Sequence, residues 1–191
     1  MIQEAYILAG GKSSRMGEDK GLKNIGHKPM IESVIQQLKK NFSVVKINTQ
    51  NIDYKIFELQ LIPDIIQDKG PLGGIYTALN DSGGDIFVAS CDIPLISSES
   101  IQYILKQHKK GKVTVASYKG NIHPLFGIYT QEIVPKLKKK IENNKLKMRS
   151  FIEEVEADIV EMSINFPTDF LANINTPEEI RSVEKLIKYE Y

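Results

Sequence analysis

The segment Leu8-Ala9-Gly10-Gly11-Lys12-Ser13-Ser14-Arg15-Met16-Gly17-Glu18-Asp19-Lys20-Gly21-Leu22 gathers glycine, hydroxyl and cationic side chains in one stretch. Glycines let backbone N–H groups approach a ligand closely and turn inward as an anion nest. Arg15 offers a planar fork for phosphate oxygens, and Lys20 a mobile point charge. Together they suit the holding of a triphosphate and the neutralisation of charge as pyrophosphate leaves. A solvated Gly/Ser turn uses the same residue types, but the whole string directly after a strand favours function. Two commoner phosphate loops are excluded. Five residues separate Gly11 from Gly17 and Glu18 follows, so the string is not G-x-x-x-x-G-K-[ST]. It contains no G-x-G-x-x-G, so dinucleotide binding is unsupported. A second chemical candidate is Asp92, in Cys91-Asp92-Ile93-Pro94. A carboxylate at a strand end can face a metal-bound triphosphate, and Mg²⁺ favours few carboxylates plus phosphate oxygens and waters. An aspartate capping a turn before proline is the structural alternative, but its place after a buried strand, with Asp85 outside it, favours function.

These residues need elements to position them. The apolar run Ala5 to Ala9 predicts a buried parallel strand that delivers Gly10 and Gly11 to a loop. Met30, Ile31, Val34, Ile35 and Leu38 recur at helical spacing behind Pro29. Val44 to Ile47 and Leu59 to Ile62 read as strands. Gly70 to Gly74 reads as a loop leading into a helix over Ile75 to Leu79. Ile86 to Ala89 predicts a strand closed off before Pro94. A helix follows over Ser97 to Gln107, then strands over Val113 to Tyr118 and Leu125 to Tyr129. Ile133 to Asn143 reads as a basic helix with Pro135 in its first turn, and Ala157 to Met162 as a strand. Thr176-Pro177-Glu178-Glu179 predicts the capped start of a last helix carrying Ile180, Val183, Leu186 and Ile187 on one face. Alternating strands and helices predict an α/β fold with a mostly parallel sheet, in one domain over residues 1–191. In such sheets ligands bind beyond the carboxyl ends of the strands, where Gly10 and Asp92 both fall.

Composition narrows the partners. The net charge of +1 gives no field to draw nucleic acid or an acidic membrane surface. The run Lys136 to Lys140 is a local exception that reads as a solvated face. A single cysteine, Cys91, excludes an internal disulfide framework and a cysteine-rich zinc site. It reads as a small buried apolar residue and not as a nucleophile. Met1-Ile2-Gln3-Glu4 leads straight into a strand, with no signal peptide expected, and no apolar run approaches the length that spans a bilayer. The expectation is a cytoplasmic enzyme with neither nucleic acid nor membrane as a partner.

The string Leu8-Ala9-Gly10-Gly11, Ser13, Arg15-Met16-Gly17 and Asp19-Lys20 matches L-A-G-G-x-S-x-R-M-G-x-D-K. In this the chain resembles the molybdenum cofactor guanylyltransferases of the nucleotidyltransferase superfamily. The resemblance implies a Rossmann-like three-layer α/β/α sandwich. It implies Mg²⁺-dependent transfer of GMP from GTP to molybdopterin bearing molybdenum, with pyrophosphate released. Further positions match. Asn48 follows the second strand, where the family places an asparagine near the nucleotide. Asp64 matches an acidic position on the guanine side, where a carboxylate can accept the ring N–H and the amino group. Gly70-Pro71-Leu72-Gly73-Gly74 matches G-P-L-x-G, and by similarity Gly73 lines the nucleotide site. Asp92 matches the aspartate of C-D-x-P that binds Mg²⁺. His123, in an H-P segment, and Asn173 and Asn175, in N-x-N-T-P, resemble positions on the acceptor side.

The mechanism so implied has Arg15 and Lys20 neutralising the phosphates, Leu8, Ala9, Gly10 and Gly11 shaping the cradle, and Asp92 holding the metal. The acceptor's terminal phosphate attacks the α-phosphorus in line. It is already ionised at neutral pH, so no general base is needed and catalysis is positioning and charge stabilisation. GTP and molybdopterin are the expected substrates, with molybdopterin-delivering or molybdoenzyme maturation proteins as further partners. A cytidylyltransferase for the same cofactor, a sugar-phosphate nucleotidyltransferase and a non-catalytic nucleotide-binding protein are the alternatives. Glycine at position 10, where several siblings carry L-A-A-G, is the cue for guanine.

Overall fold

The computed structural model describes residues 2–10, 19–166, 168, 170–171, 173–174 and 178–181. Its frame is a seven-stranded sheet in which the interior strand β1 (Glu4–Leu8) is buried from Ala5 onward. Strand side chains alternate between faces. Ala5 and Ile7 accordingly join one hydrophobic core, while Tyr6 and Leu8 join another on the opposite face. Burial on both faces explains why this strand reads as a continuous apolar run.

A short hairpin of β2 (Asn24–Ile25) and β3 (Lys28–Pro29) follows, turning at Gly26 with φ +63°. Helix α1 (Met30–Lys39) buries Met30, Ile31, Val34, Ile35 and Leu38, the stripe that its spacing predicts. Then come β4 (Val44–Asn48), a 3-10 turn over Ile52–Phe57, β5 (Gln60–Ile62) and α2 (Gly70–Ser82). The chain continues through β6 (Ile86–Ser90), α3 (Ser98–Gln107), β7 (Thr114–Tyr118) and β8 (Asn121–Tyr129). It goes on through α4 (Val134–Glu142), α5 (Met148–Glu154) and β9 (Asp158–Glu161). The sheet order is β5-β4-β1-β6-β8-β7-β9. Every pairing is parallel except those of β8 with β6 and β7. Helices α1 and α3 pack into the core on one face, and α2, α4 and α5 into the core on the other. The three-layer α/β/α sandwich expected from the sequence is the architecture observed.

Four local features differ from the expectations. Gly70 to Gly74 is not a loop but the first turns of α2. Pro71 suits a helix start, because its fixed φ is preset and its missing N–H would have no partner there. Gly74 is in the helix because the helix lies hard on the sheet. A Cβ at that position would stand 2.6 Å from Asn48 Oδ1 and 3.1 Å from Leu8 Cδ2. Strand β8 begins at Asn121, not Leu125, and absorbs Pro124 where its register with β7 shifts between Val115 and Ala116. Helix α5 and the 3-10 turn over Ile52–Phe57 were not foreseen, being too short for a clear period. Residues 178–181 are helical, as expected, and Ile180 packs against the Ile25, Met30 and Ile174 cluster. Thr176, Pro177, Val183, Leu186 and Ile187 lie outside the described residues.

Candidate functional site

The site is built on one row of the sheet. Leu8 on β1 pairs in register with Asn48 on β4 and with Ser90 on β6, and Asn48 pairs with Ile62 on β5. All four strands run parallel, so their carboxyl ends open on the same edge. The ladder runs one step further through Ala9 N–H to Asn48 O at 3.0 Å and Cys91 N–H to Leu8 O at 3.3 Å. α1 lies on one face and α2 on the other, so the chain changes direction about β1 and β6, the place where open α/β sheets form crevices. A cavity of about 660 Å³ occupies that crevice.

Leu8, Ala9, Gly10, Lys20, Asn48, Asp64 and Asp92 all line this cavity. Among the described residues, a Cβ at Gly10 would meet no atom within 4 Å. Gly73 is buried against Lys69 and is not among the lining residues; its neighbour Gly74 is. Gly11 and Arg15 lie outside the described residues. His123 and Asn173 line a second cavity of about 300 Å³, which shares Ser90 and Leu125 with the first. Asn175 lies outside the described residues.

The polar groups are oriented by short contacts. Asn48 is buried, and its amide donates to Ile62 O at 2.9 Å and to Asp64 Oδ1 at 3.0 Å. Burial lifts the Asp64 carboxyl above its ordinary pKa, and the Asn48 hydrogen bond offsets this only in part. Ser90 donates its hydroxyl to Asp92 Oδ1 at 2.6 Å. Burial, with the charges of Asp92 and Asp19 beside it, raises the Cys91 thiol far above neutrality. The thiol therefore stays protonated, which removes it as a nucleophile. Among the described residues no group of three or more His, Cys, Asp and Glu side chains is arranged to hold a metal ion. No helix of the described residues is long and apolar enough to cross a membrane.

Sequence reasoning passed over several lining residues. In the sequence Asp19 is one residue of the loop string, yet in the fold its carboxylate accepts from Tyr54, Gly21 N–H and Asn51. Ser90 is an ordinary strand-end serine in the sequence, and only the fold sets it between the two cavities. The spacing of Ser90 to Asp92, with both side chains at a strand end, is the one signal that was available.

A crevice lined with carboxylates and a lysine at the ends of parallel strands, inside this sandwich, defines a nucleotidyltransferase-type α/β protein. The MobA-like NTP transferase domain matches residues 5–159, and the chain belongs to that family. A protein of Flavobacterium johnsoniae named probable molybdenum cofactor guanylyltransferase is 42% identical, over 93% of this chain and 94% of its own. One of the same name from Carboxydothermus hydrogenoformans is 35% identical, over 95% and 93%. A crystal structure of an Aquifex aeolicus protein is similar at a TM-score of 0.79 and 31% identity, covering 92% of this chain and 94% of that one.

Proposed function

We propose that this nucleotidyltransferase moves GMP from GTP to molybdopterin bearing molybdenum, releasing pyrophosphate and forming the guanine dinucleotide of the cofactor. The observation that carries the proposal is the register row Leu8, Asn48 and Ser90, which gathers Lys20, Asp64 and Asp92 about one crevice that adjoins a second cavity. The larger cavity then takes the nucleotide and the smaller one the acceptor, with Ser90 at their junction.

Gly10 leaves room for a phosphate against bare backbone, since among the described residues no side chain fills the space a Cβ would take. Lys20 supplies positive charge from the crevice wall, and Arg15, by resemblance, a second cation. Asp64, held through one oxygen by Asn48, accepts the N–H edge of guanine with the other. His123 and Asn173 line the acceptor cavity and offer polar contacts to the pterin side, with Asn175 on the same segment by resemblance.

A Mg²⁺ ion fits this donor set. One carboxylate, Asp92, would hold it, and triphosphate oxygens and water would complete its coordination, the arrangement Mg²⁺ favours. When bound it supplies Lewis-acid neutralisation of the phosphates. Ser90 orients the Asp92 carboxylate, and Lys20 balances charge on the departing pyrophosphate. The attacking phosphate is ionised at neutral pH, so no side chain must remove a proton.

The test is to incubate the protein with Mg²⁺, molybdenum-loaded molybdopterin and either GTP or CTP, measuring pyrophosphate release and the dinucleotide formed. Turnover with GTP well above that with CTP is expected. Preference for CTP would overturn the guanine assignment, and tight GTP binding without product would overturn the transfer.

A further inference from the structure

Asp19 stands where the glycine-rich segment rejoins the described fold, immediately before Lys20. Its carboxylate is gripped from three directions. Tyr54 donates its hydroxyl to Oδ1 at 2.5 Å, Gly21 N–H donates to the same oxygen at 3.2 Å, and Asn51 Nδ2 donates to Oδ2 at 3.2 Å. Tyr54 and Asn51 come from the 3-10 turn over Ile52–Phe57 and its N-cap, more than thirty residues along the chain. That turn is shaped to present them together. Asn51 is its N-cap, and Asn51 Oδ1 accepts from Asp53 N–H at 2.9 Å, so its Nδ2 is aimed outward at Asp19. Tyr54 is three residues on, and in a 3-10 helix residues three apart share a face.

The Tyr54 ring is fully buried, and its hydroxyl lies between the Asp19 carboxylate and the Cys91 side chain. Burial drives its pKa upward, which keeps the phenol protonated and a donor. Gly21 closes the arrangement. A Cβ there would run into the Tyr54 hydroxyl and would stand 3.2 Å from the Cys91 side chain. The 3-10 helix Lys20–Leu22 thus sits against Tyr54 at a distance only glycine permits, with Asp19 as its N-cap. Asp19 also lines the crevice.

We propose that Asp19, Tyr54 and Asn51 form a latch that positions Lys20 for the triphosphate. The latch pins the end of the glycine-rich segment to the connection leaving β4, so the lysine is held by the same frame that carries Asn48. Tyr54 is a positioning residue, acting through Asp19. The proposal rests on the assignment of Lys20 to the triphosphate.

The experiment is a double-mutant comparison of Tyr54→Phe, Lys20→Ala and the two combined. It measures GTP affinity by calorimetry and turnover by pyrophosphate release, with thermal unfolding as a check on folding. Tyr54→Phe keeps the ring and removes only the donor. We expect it to stay folded and to lose about tenfold in GTP affinity or turnover. The decisive expectation is that the double variant is no worse than Lys20→Ala alone, since a latch acting through Lys20 has nothing to position once Lys20 is gone. Losses that multiply, or a Tyr54→Phe protein equal to wild type beside an impaired Lys20→Ala, would overturn the latch and leave the Lys20 assignment standing. A Lys20→Ala protein equal to wild type would overturn that assignment and the latch together. Should Tyr54→Phe fail to fold, Asn51→Ala removes the grip on Oδ2 and carries the same comparison.

Discussion

Asn48 spends its side-chain amide on two acceptors, Ile62 O at 2.9 Å and Asp64 Oδ1 at 3.0 Å, and so fixes the Asp64 carboxylate against the end of the sheet. In the function proposed, a donor committed in this way would act by orienting Asp64, and the carboxylate would be the group that meets the base. Asp64→Ala should therefore weaken GTP by about tenfold and bring its kcat/KM close to that of ITP, whose base lacks the exocyclic amino group. The ratio of kcat/KM for GTP and ITP checks this, and a ratio unchanged from wild type would remove Asp64 from base recognition.

The same carboxyl predicts a pH dependence. Burial lifts its pKa, so the charged form that accepts from guanine is lost at a higher pH than for an ordinary aspartate. GTP affinity should fall as pH drops through that raised value and be flat well above it. In Asp64→Asn, which cannot titrate, this acid limb should disappear from a binding-versus-pH curve.

Asp92 and Ser90 are separable in their effects. Asp92→Asn keeps the shape of the side chain and removes its charge, so pyrophosphate release should drop by about 10²–10³ with the thermal transition preserved. Ser90→Ala removes only the hydroxyl that donates to Asp92 Oδ1 at 2.6 Å, and should cost about tenfold in kcat. Raising the Mg²⁺ concentration should recover part of the Ser90→Ala loss and none of the Asp92→Asn loss. Equal recovery of both would separate Asp92 from the metal.

The parts of the fold that were legible in the sequence are those in which one local pattern decides. β1 and β6 are buried on both faces and read as apolar runs, and α1 reads from its stripe Met30, Ile31, Val34, Ile35 and Leu38. The glycines of α2 misled because helix propensity disfavours them, while tertiary contact with Asn48 and Leu8 requires the one at 74. In the site, the residues carried by the family strings, such as Lys20, Asp64 and Asp92, come together in the crevice. Tyr54 and Asn51 carry no such string. Their place beside Asp19 depends on the sheet bringing the exits of β1 and β4 together, a relation that no local window contains.

Gly10 and Gly74 should answer differently to the same added methyl group. At Gly74 a Cβ would stand 2.6 Å from Asn48 Oδ1, and that amide is pinned by its two hydrogen bonds. The gain of up to about 1 kcal/mol in helix propensity from Gly74→Ala is then outweighed by overpacking of about 1–3 kcal/mol. Among the described residues Gly10→Ala meets no atom within 4 Å, so its stability should be unchanged within about 0.5 kcal/mol, while GTP affinity should fall because Gly10 lines the crevice. Chemical denaturation and calorimetric GTP titration of both variants check the contrast. A Gly10→Ala protein with full GTP affinity would take that backbone out of the phosphate cradle.

At the opposite end of β1, Lys46 Nζ bonds Glu4 at 3.0 Å and Asp81 at 2.8 Å, while the buried Tyr6 donates its hydroxyl to Asp81 at 2.6 Å and lies 2.9 Å from Glu4. Burial acts to raise the Asp81 carboxyl, but the hydrogen bonds from Lys46 and Tyr6 and the charge of Lys46 outweigh it and leave the pKa lowered. Burial likewise acts to lower Lys46, and its bonds to Asp81 and Glu4 outweigh that and raise it. Lys46→Met leaves two partly buried carboxylates facing each other without a cation, and should cost about 2 kcal/mol of stability near neutral pH. Asp81's share is present above the ordinary aspartate range and is lost as pH falls through its lowered pKa. Lys46's share is present below the ordinary lysine pKa and is lost as pH rises through its raised one. The stability gap between wild type and Lys46→Met should thus be level from about pH 5 to about pH 9 and narrow on both sides. Urea unfolding at a series of pH values measures it, and a gap that changes steadily across the neutral range would rule out this ion cluster as its source.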